Sequence, residues 1–297
     1  MTEPTGRAAS AARGRLVPLA AIVVAMISVQ CGASFAKSLF PLVGAQGTTA
    51  LRVGIAAILL AVALPPWRAR FDRRSSYALL GYGASLGAMN TMFYLSLKTV
   101  PLGIAVAIEF LGPLVVAMLA SRRVIDFAWI GLAVGGLAAL LPVGSSVHGI
   151  DPGGALLALG AGVGWACYIL FGQRAGAVHG ARTAALGTII AAILVVPIGI
   201  AHAGGALLTP SVMLAGLFVA FLSSALPYSL EMVALTRLPA QTFGTLMSLE
   251  PAIAAMAGFT FLDETLTTVQ WFAIGAVMLA SAGTALTSRP AAVALGD

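Results

Sequence analysis

Two glutamates stand where a charge is expensive. Glu250 lies near the middle of Leu238–Leu262, twenty-five residues with no other charge, and Pro251 follows it at once. Glu109 is the single charge in the twenty-three residues Thr99–Ser121, with Pro113 four positions later. Pro101 and Pro113 are twelve residues apart, and so are Pro239 and Pro251. Runs this long and apolar predict membrane-spanning helices, since about 20 such residues cross a bilayer. A carboxylate inside one must face the protein interior or a water-filled cavity. A proline in a helix also releases the carbonyl four residues before it. Pro113 would release that of Glu109, and Pro251 that of Met247, the position matched to Glu109. Two carbonyls and two carboxylates facing one cavity would suit an ammonium group or a proton. The plainer alternative is that both prolines are ordinary kinks and that Ser, Thr or Tyr neighbours satisfy the acids.

The candidate cations are Arg52 and Lys37. Fifteen uncharged residues separate Arg52 from Arg68, about 22 Å of helix in a core of about 30 Å. Arg52 therefore belongs inside the membrane or at its edge. Its guanidinium could take a carboxylate bidentately, or it could snorkel to the interface. Lys37, at a helix end, is the second choice and is expected to snorkel. Asn90, Tyr94 and Tyr228 are further candidates for the cavity wall. Helix–helix hydrogen bonds account for most other polar residues of the spans, among them Gln30, Ser34, Tyr168, Ser223, Ser224, Thr245 and Ser248.

The elements that must position these residues are read from composition and charge. The chain is 60% hydrophobic and 9% charged, with mean hydropathy +1.01, against about 25% charged in soluble domains. An all-α membrane protein is expected. The net charge of +6 does not indicate nucleic-acid binding, because the arginines come in twos and threes between apolar runs. Ten helices are expected, near 16–36, 47–64, 77–97, 101–120, 127–143, 153–172, 181–201, 211–230, 239–262 and 268–287. The N-terminus and the loops after helices two, four, six, eight and ten carry thirteen arginines, whereas the other side has only Lys37 and Lys98. By the positive-inside rule both termini are cytoplasmic.

The ten helices divide into two fives, with helix four falling on helix nine. Five is odd, so the halves are inverted repeats, an arrangement that puts a binding site near the membrane midplane. The expected layout is a disordered cytoplasmic N-terminus (1–15), a first repeat (16–143), a periplasmic linker (144–152), a second repeat (153–288) and a cytoplasmic tail (289–297). Glycines spaced as Gly83/Gly87, Gly131/Gly135 and Gly160/Gly164 should let helix backbones approach closely. Cys31 and Cys167 lie apart in apolar runs, and His148, His179 and His202 lie in expected loops. Neither a metal site nor a cofactor is indicated. No nucleophile stands with a base at usable spacing, and no phosphate-binding Gly-x-x-x-x-Gly-Lys-Ser/Thr loop occurs, so neither an enzyme nor an ATP-driven pump is expected. Nothing in the sequence specifies an oligomeric state.

Ser248-Leu-Glu-Pro-Ala, followed by Phe261-Leu-Asp-Glu-Thr-Leu-Thr, resembles the second-half motif of the drug/metabolite transporter superfamily in its ten-helix EamA family. Asp263 stands where that motif usually has glycine. Longer stretches are closer still to that family's bacterial threonine/homoserine exporters. They include Gly32–Gly44, Val100–Phe110, Ala225–Met232, Ala234–Pro239 and Thr242–Ser248. The resemblance implies an inner-membrane exporter of small hydrophilic amino acids driven by protons, with drug or metabolite export as the alternative within the superfamily. For a zwitterionic amino acid, its carboxylate is expected at Arg52 and its ammonium at Glu109 and the Met247 carbonyl, with Glu250 carrying the proton.

Overall fold

The computed structural model describes residues 5–69, 73–120, 124–140, 150–227, 230 and 246–287. They form α1 (Thr5–Ser38), α2 (Phe40–Ala63), α3 (Arg73–Ser96), α4 (Leu102–Glu109), α5 (Leu111–Ala120), α6 (Val124–Leu140), α7 (Pro152–His179), α8 (Arg182–Ala203), α9 (Pro210–Ala220), α10 (Glu250–Leu262) and α11 (Thr268–Thr287). No strand occurs among the described residues. Five helical segments are long and apolar enough to cross a membrane: Val17–Ser38, Phe40–Ala63, Pro152–His179, Arg182–Leu208 and Thr268–Leu286. Shorter apolar helices accompany them at Leu102–Val116, Phe127–Gly136, Pro210–Ala225 and Glu250–Leu262. The chain is a multi-pass membrane protein.

Local chemistry sets the helix boundaries. Pro41 lies in the first turn of α2 and Pro152 in that of α7, where proline's missing N–H costs nothing. Asp151 caps α7 by accepting the Gly154 amide at 2.7 Å. Thr267 and Gln270 cap α11 reciprocally, each side chain bonding the other's amide. α1 begins at Thr5, ahead of the expected start at Leu16. α2 begins at Phe40 rather than Gly47, because the chain continues through a kink at Gly44 (φ 69°, ψ 172°), a conformation open to glycine. Arg52 therefore sits well inside a 24-residue helix.

α3 packs on α7 and α8, α2 on α8, α6 on α11, and α4 on α10 and α7. Gly83 and Gly87 meet Ile190 and Ala191 of α8, and Gly160 and Gly164 meet Met92 and Met89 of α3, as the glycine spacing predicts. Gly131 and Gly135 differ: nothing lies within 4 Å of where their Cβ atoms would be, and Gly136 makes the contact with α11 instead. The main core gathers Leu97, Val100, Leu102, Ile104 and Ile108 with Ala33, Ala36, Ala254 and Ile274. Every residue of α4 is buried.

Two interruptions shape the middle of the molecule. α4 ends at Glu109 and α5 starts at Leu111, with Phe110 in a turn between them. Residues 248 and 249 form a turn before α10 starts at Glu250. Pro251 is thus in the first turn of α10 rather than inside a continuous helix. Each interruption lies within three residues before one of the matched prolines, Pro113 and Pro251.

Candidate functional site

A cavity of about 200 Å³ opens between these interruptions. Its wall includes Arg52, Asn90, Tyr94, Glu109, Met247 and Glu250, so six of the residues singled out by sequence share one space. A single water needs only about 10–15 Å³, and drug-sized sites run to about 300–1,000 Å³. The cavity suits a small solute.

Arg52 reaches the cavity from α2 and is held on three sides. Its Nε–H donates to Ser223 Oγ at 2.8 Å and Nη2 to the Ser223 carbonyl at 3.2 Å. Nη1 donates to Asn90 Oδ1. The guanidinium carbon lies 5.4 Å from the centroid of the Tyr94 ring, within cation–π range. An arginine has five N–H groups; among the described residues these bonds engage three, which leaves one on each terminal nitrogen. Ser223 is presented by residues Phe221–Ala225, a single turn of π-helix following α9. Such turns recur at functional sites because they re-aim backbone groups. Gly32 of α1 leaves room for this turn, since a Cβ there would lie 2.9 Å from the Ser223 Cβ.

The two carboxylates differ in their surroundings. Glu250 is the first residue of α10, where the helix dipole favours negative charge. Its Oε1 accepts from Gln30 Nε2 at 3.0 Å, in a buried contact bridging 220 positions. Glu109 is the last residue of α4, where the dipole favours a cation. Among the described residues no side chain hydrogen-bonds its carboxylate. The Glu109 backbone carbonyl does not serve the cavity: it lies against Gly162 of α7, where a Cβ would come within 2.7 Å of the oxygen. Glycines at 112 and 162 bring the α5 and α7 backbones together at this point, so the released carbonyl is covered by close packing rather than offered to a ligand. Among the described residues the buried Gln30 Oε1 has no hydrogen-bond partner, and the Arg52 guanidinium lies beside the buried Tyr94 hydroxyl.

Lys37 lies apart from this wall. Its Nζ pairs with Glu264 Oε1 at 2.6 Å, because the end of α1 faces the α10–α11 loop rather than the cavity. Tyr228 falls outside the described residues, as do Glu231 and Arg237. Gln30, Ser223, Trp165 and Tyr168 line the cavity as well. Of these, Gln30 and Ser223 hold Glu250 and Arg52 in place, roles that exceed the generic helix–helix contact expected of them. Among the described residues no group of three His, Cys, Asp or Glu side chains could hold a metal ion.

Residues 152–286 match the EamA-like transporter family. The threonine/homoserine exporter RhtA of Escherichia coli (strain K12) is 59% identical over 273 residues, 92% of each chain. The threonine/homoserine exporter RhtA of Salmonella typhimurium (strain LT2) is 58% identical over the same length. The uncharacterized transporter YwfM of Bacillus subtilis (strain 168) is 28% identical over 246 residues, covering 79% of this chain and 81% of its own. A solved crystal structure shares the fold at 18% identity, with a TM-score of 0.61 over 92% of this chain and 97% of its own.

Proposed function

The chain belongs to the EamA-like transporter family, and from that premise we propose that it exports threonine, homoserine and related small hydrophilic amino acids across the bacterial inner membrane by proton-coupled alternating access. One observation carries the reading. A single small cavity holds an arginine with unused N–H groups and two carboxylates, which gives each end of a zwitterion a partner of opposite charge. Stripping water from either end without such a partner would be costly. The substrate carboxylate binds the free edge of Arg52, its ammonium binds Glu109, and Glu250 takes up and releases the proton. Met247 and Asn90 complete the wall. The small size of the space favours an amino acid over the bulkier substrates of a broad drug exporter.

The transport cycle follows from an inverted repeat of ten spans with both termini cytoplasmic. Packing supports the repeat at three points: α2 pairs with α8, α4 with α10 and α6 with α11, each a helix against its proposed counterpart. Breaks at matched positions place helix ends at the centre, where transporters of this design bind their solutes.

The test uses proteoliposomes loaded with labelled threonine and given a pH gradient. Glu250→Gln should bind threonine and exchange it, yet lose gradient-driven efflux. Undiminished gradient-driven efflux in that variant, with unchanged pH dependence, would remove Glu250 as the proton carrier.

A further inference from the structure

At the end of the bundle with few arginines, one residue ties two helices together. Glu264 lies in the loop between α10 and α11 and uses its two oxygens on two different helices. Oε1 takes the Lys37 ammonium at the end of α1, and Oε2 accepts the Leu102 amide at 2.7 Å. That amide is the first of α4, whose N-cap position is Pro101 and has no capping side chain of its own. Glu264 therefore supplies, from a point 162 positions away, the acceptor that a helix start requires. Gly258 makes the arrangement possible, because a Cβ there would collide with Glu264 Oε2.

What these bonds hold is the pair of helices that runs from this end to the cavity. α4 runs from the latched amide to Glu109, with Val106 and Glu109 in the cavity wall. Leu97, Val100, Leu102 and Ile104, toward the latched end, are each at most 1% exposed. α1 carries Lys37 at the same end and Gln30 and Ala33 at the cavity. On the other flank Thr99 Oγ donates to Asp151 at 2.8 Å. The Gly154 amide and that hydroxyl hold the Asp151 carboxyl below the usual aspartate range. The turn leading into α4 is thus gripped by an acid on each side.

We propose that Glu264 is a positioning residue for transport: shared between Lys37 and the first amide of α4, it is the latch that keeps the arginine-poor end of the cavity shut and must release for solute to pass there. The inference rests on the alternating-access reading and adds to it the contact that opens. Because one carboxylate joins two helices, its release frees both, and α4 can swing with Glu109 at its far end.

A reporter cysteine, Val106→Cys, in a Cys31→Ala/Cys167→Ala background reads the latch directly. Labelling by a membrane-impermeant thiol reagent is measured in right-side-out and inside-out vesicles, so the result does not depend on orientation. The parent should label slowly from the arginine-poor face. Lys37→Gln should label about tenfold faster, the shift expected on losing one charge-assisted bond, and Glu264→Ala, which loses two, at least as fast. Gly258→Ala, which displaces the Glu264 oxygen without altering charge, should act in the same direction. Threonine counterflow should show reduced turnover with KM nearly unchanged, a split that general damage to the site would not give. Unchanged labelling from that face in both Lys37→Gln and Glu264→Ala would overturn the proposal; should Glu264→Ala fail to fold, Lys37→Gln alone decides it. Labelling needs no substrate, so faster labelling in a protein that does not transport threonine would keep the latch and discard the amino-acid reading.

Discussion

Replacing Arg52 tests the recognition scheme at its most specific point. The structure commits Nε to Ser223 Oγ, Nη2 to the Ser223 carbonyl and Nη1 to Asn90, which fixes the guanidinium and leaves an N–H on each terminal nitrogen for a carboxylate. Arg52→Gln removes the charge and the fork, while Ser223 keeps its bond to the Val219 carbonyl and Asn90 its bond to that of Leu86. The protein should therefore fold. A hydrogen bond to a charged group is worth about 1.5–3 kcal/mol net, and each 1.4 kcal/mol is a factor of ten. Threonine affinity should accordingly fall by about 10- to 150-fold. Arg52→Lys keeps the charge but not the fork and should fall between. Threonine amide, which lacks the carboxylate, should bind the wild type poorly and be almost indifferent to Arg52→Gln. Binding is measured calorimetrically on purified protein, with thermal unfolding as the control for folding. Wild-type threonine affinity in Arg52→Gln would refute the scheme.

Three further predictions follow from backbone geometry and charge. Gly112→Ala would drive a Cβ into the Gly162 carbonyl, and forced separation of packed helices costs about 1–3 kcal/mol; its melting temperature should fall, whereas Gly131→Ala, with nothing within 4 Å, should leave it unchanged. Asp263 is the only non-glycine among the described residues with positive φ, at 53°. Asp263→Gly should raise thermal stability by about 0.5–1 kcal/mol, since left-handed backbone is costly for other residues, and a fall of that size would count against the explanation. Single cysteines near Arg70 and Arg122 should be shielded from an impermeant reagent in intact cells, and those near Gly144 and Asp263 should label; labelling near Arg70 would overturn the ten-span topology.

Residues whose placement costs free energy were readable from the chain. Arg52, Glu109 and Glu250 each break an apolar run, so the cost of burying a charge marked them before any contact was visible, and the structure gathers them around one cavity. Neutral partners leave no such mark. Gln30 and Ser223 look like any other polar residue of a span, and their contacts cross 220 and 171 positions. The adjacent pair Ser223-Ser224 in an apolar run was the one available hint, but the π-turn that aims Ser223 is a backbone feature without a sequence signature. Lys37, the second-choice cation expected to snorkel, shows the opposite limit. Its charge drew attention, but charge alone does not distinguish a cavity ligand from a partner for Glu264. The prolines were expected inside continuous helices, whereas the chain breaks just before each of them, and the Glu109 carbonyl expected in the cavity is covered by Gly162, a consequence of tertiary packing. The Asp263 departure from the family motif also has a physical meaning, because the position adopts the left-handed conformation that glycine takes without strain.

Counterflow in proteoliposomes tests the central claim most directly. Vesicles preloaded with unlabelled threonine are diluted into labelled threonine, and a panel of amino acids, amino-acid amides and bulky apolar cations is tested as competitors. Label should be taken up rapidly, with competition by homoserine and threonine, poor competition by threonine amide, and none by the bulky cations. Absence of counterflow by a folded protein, or competition confined to the bulky cations, would contradict it.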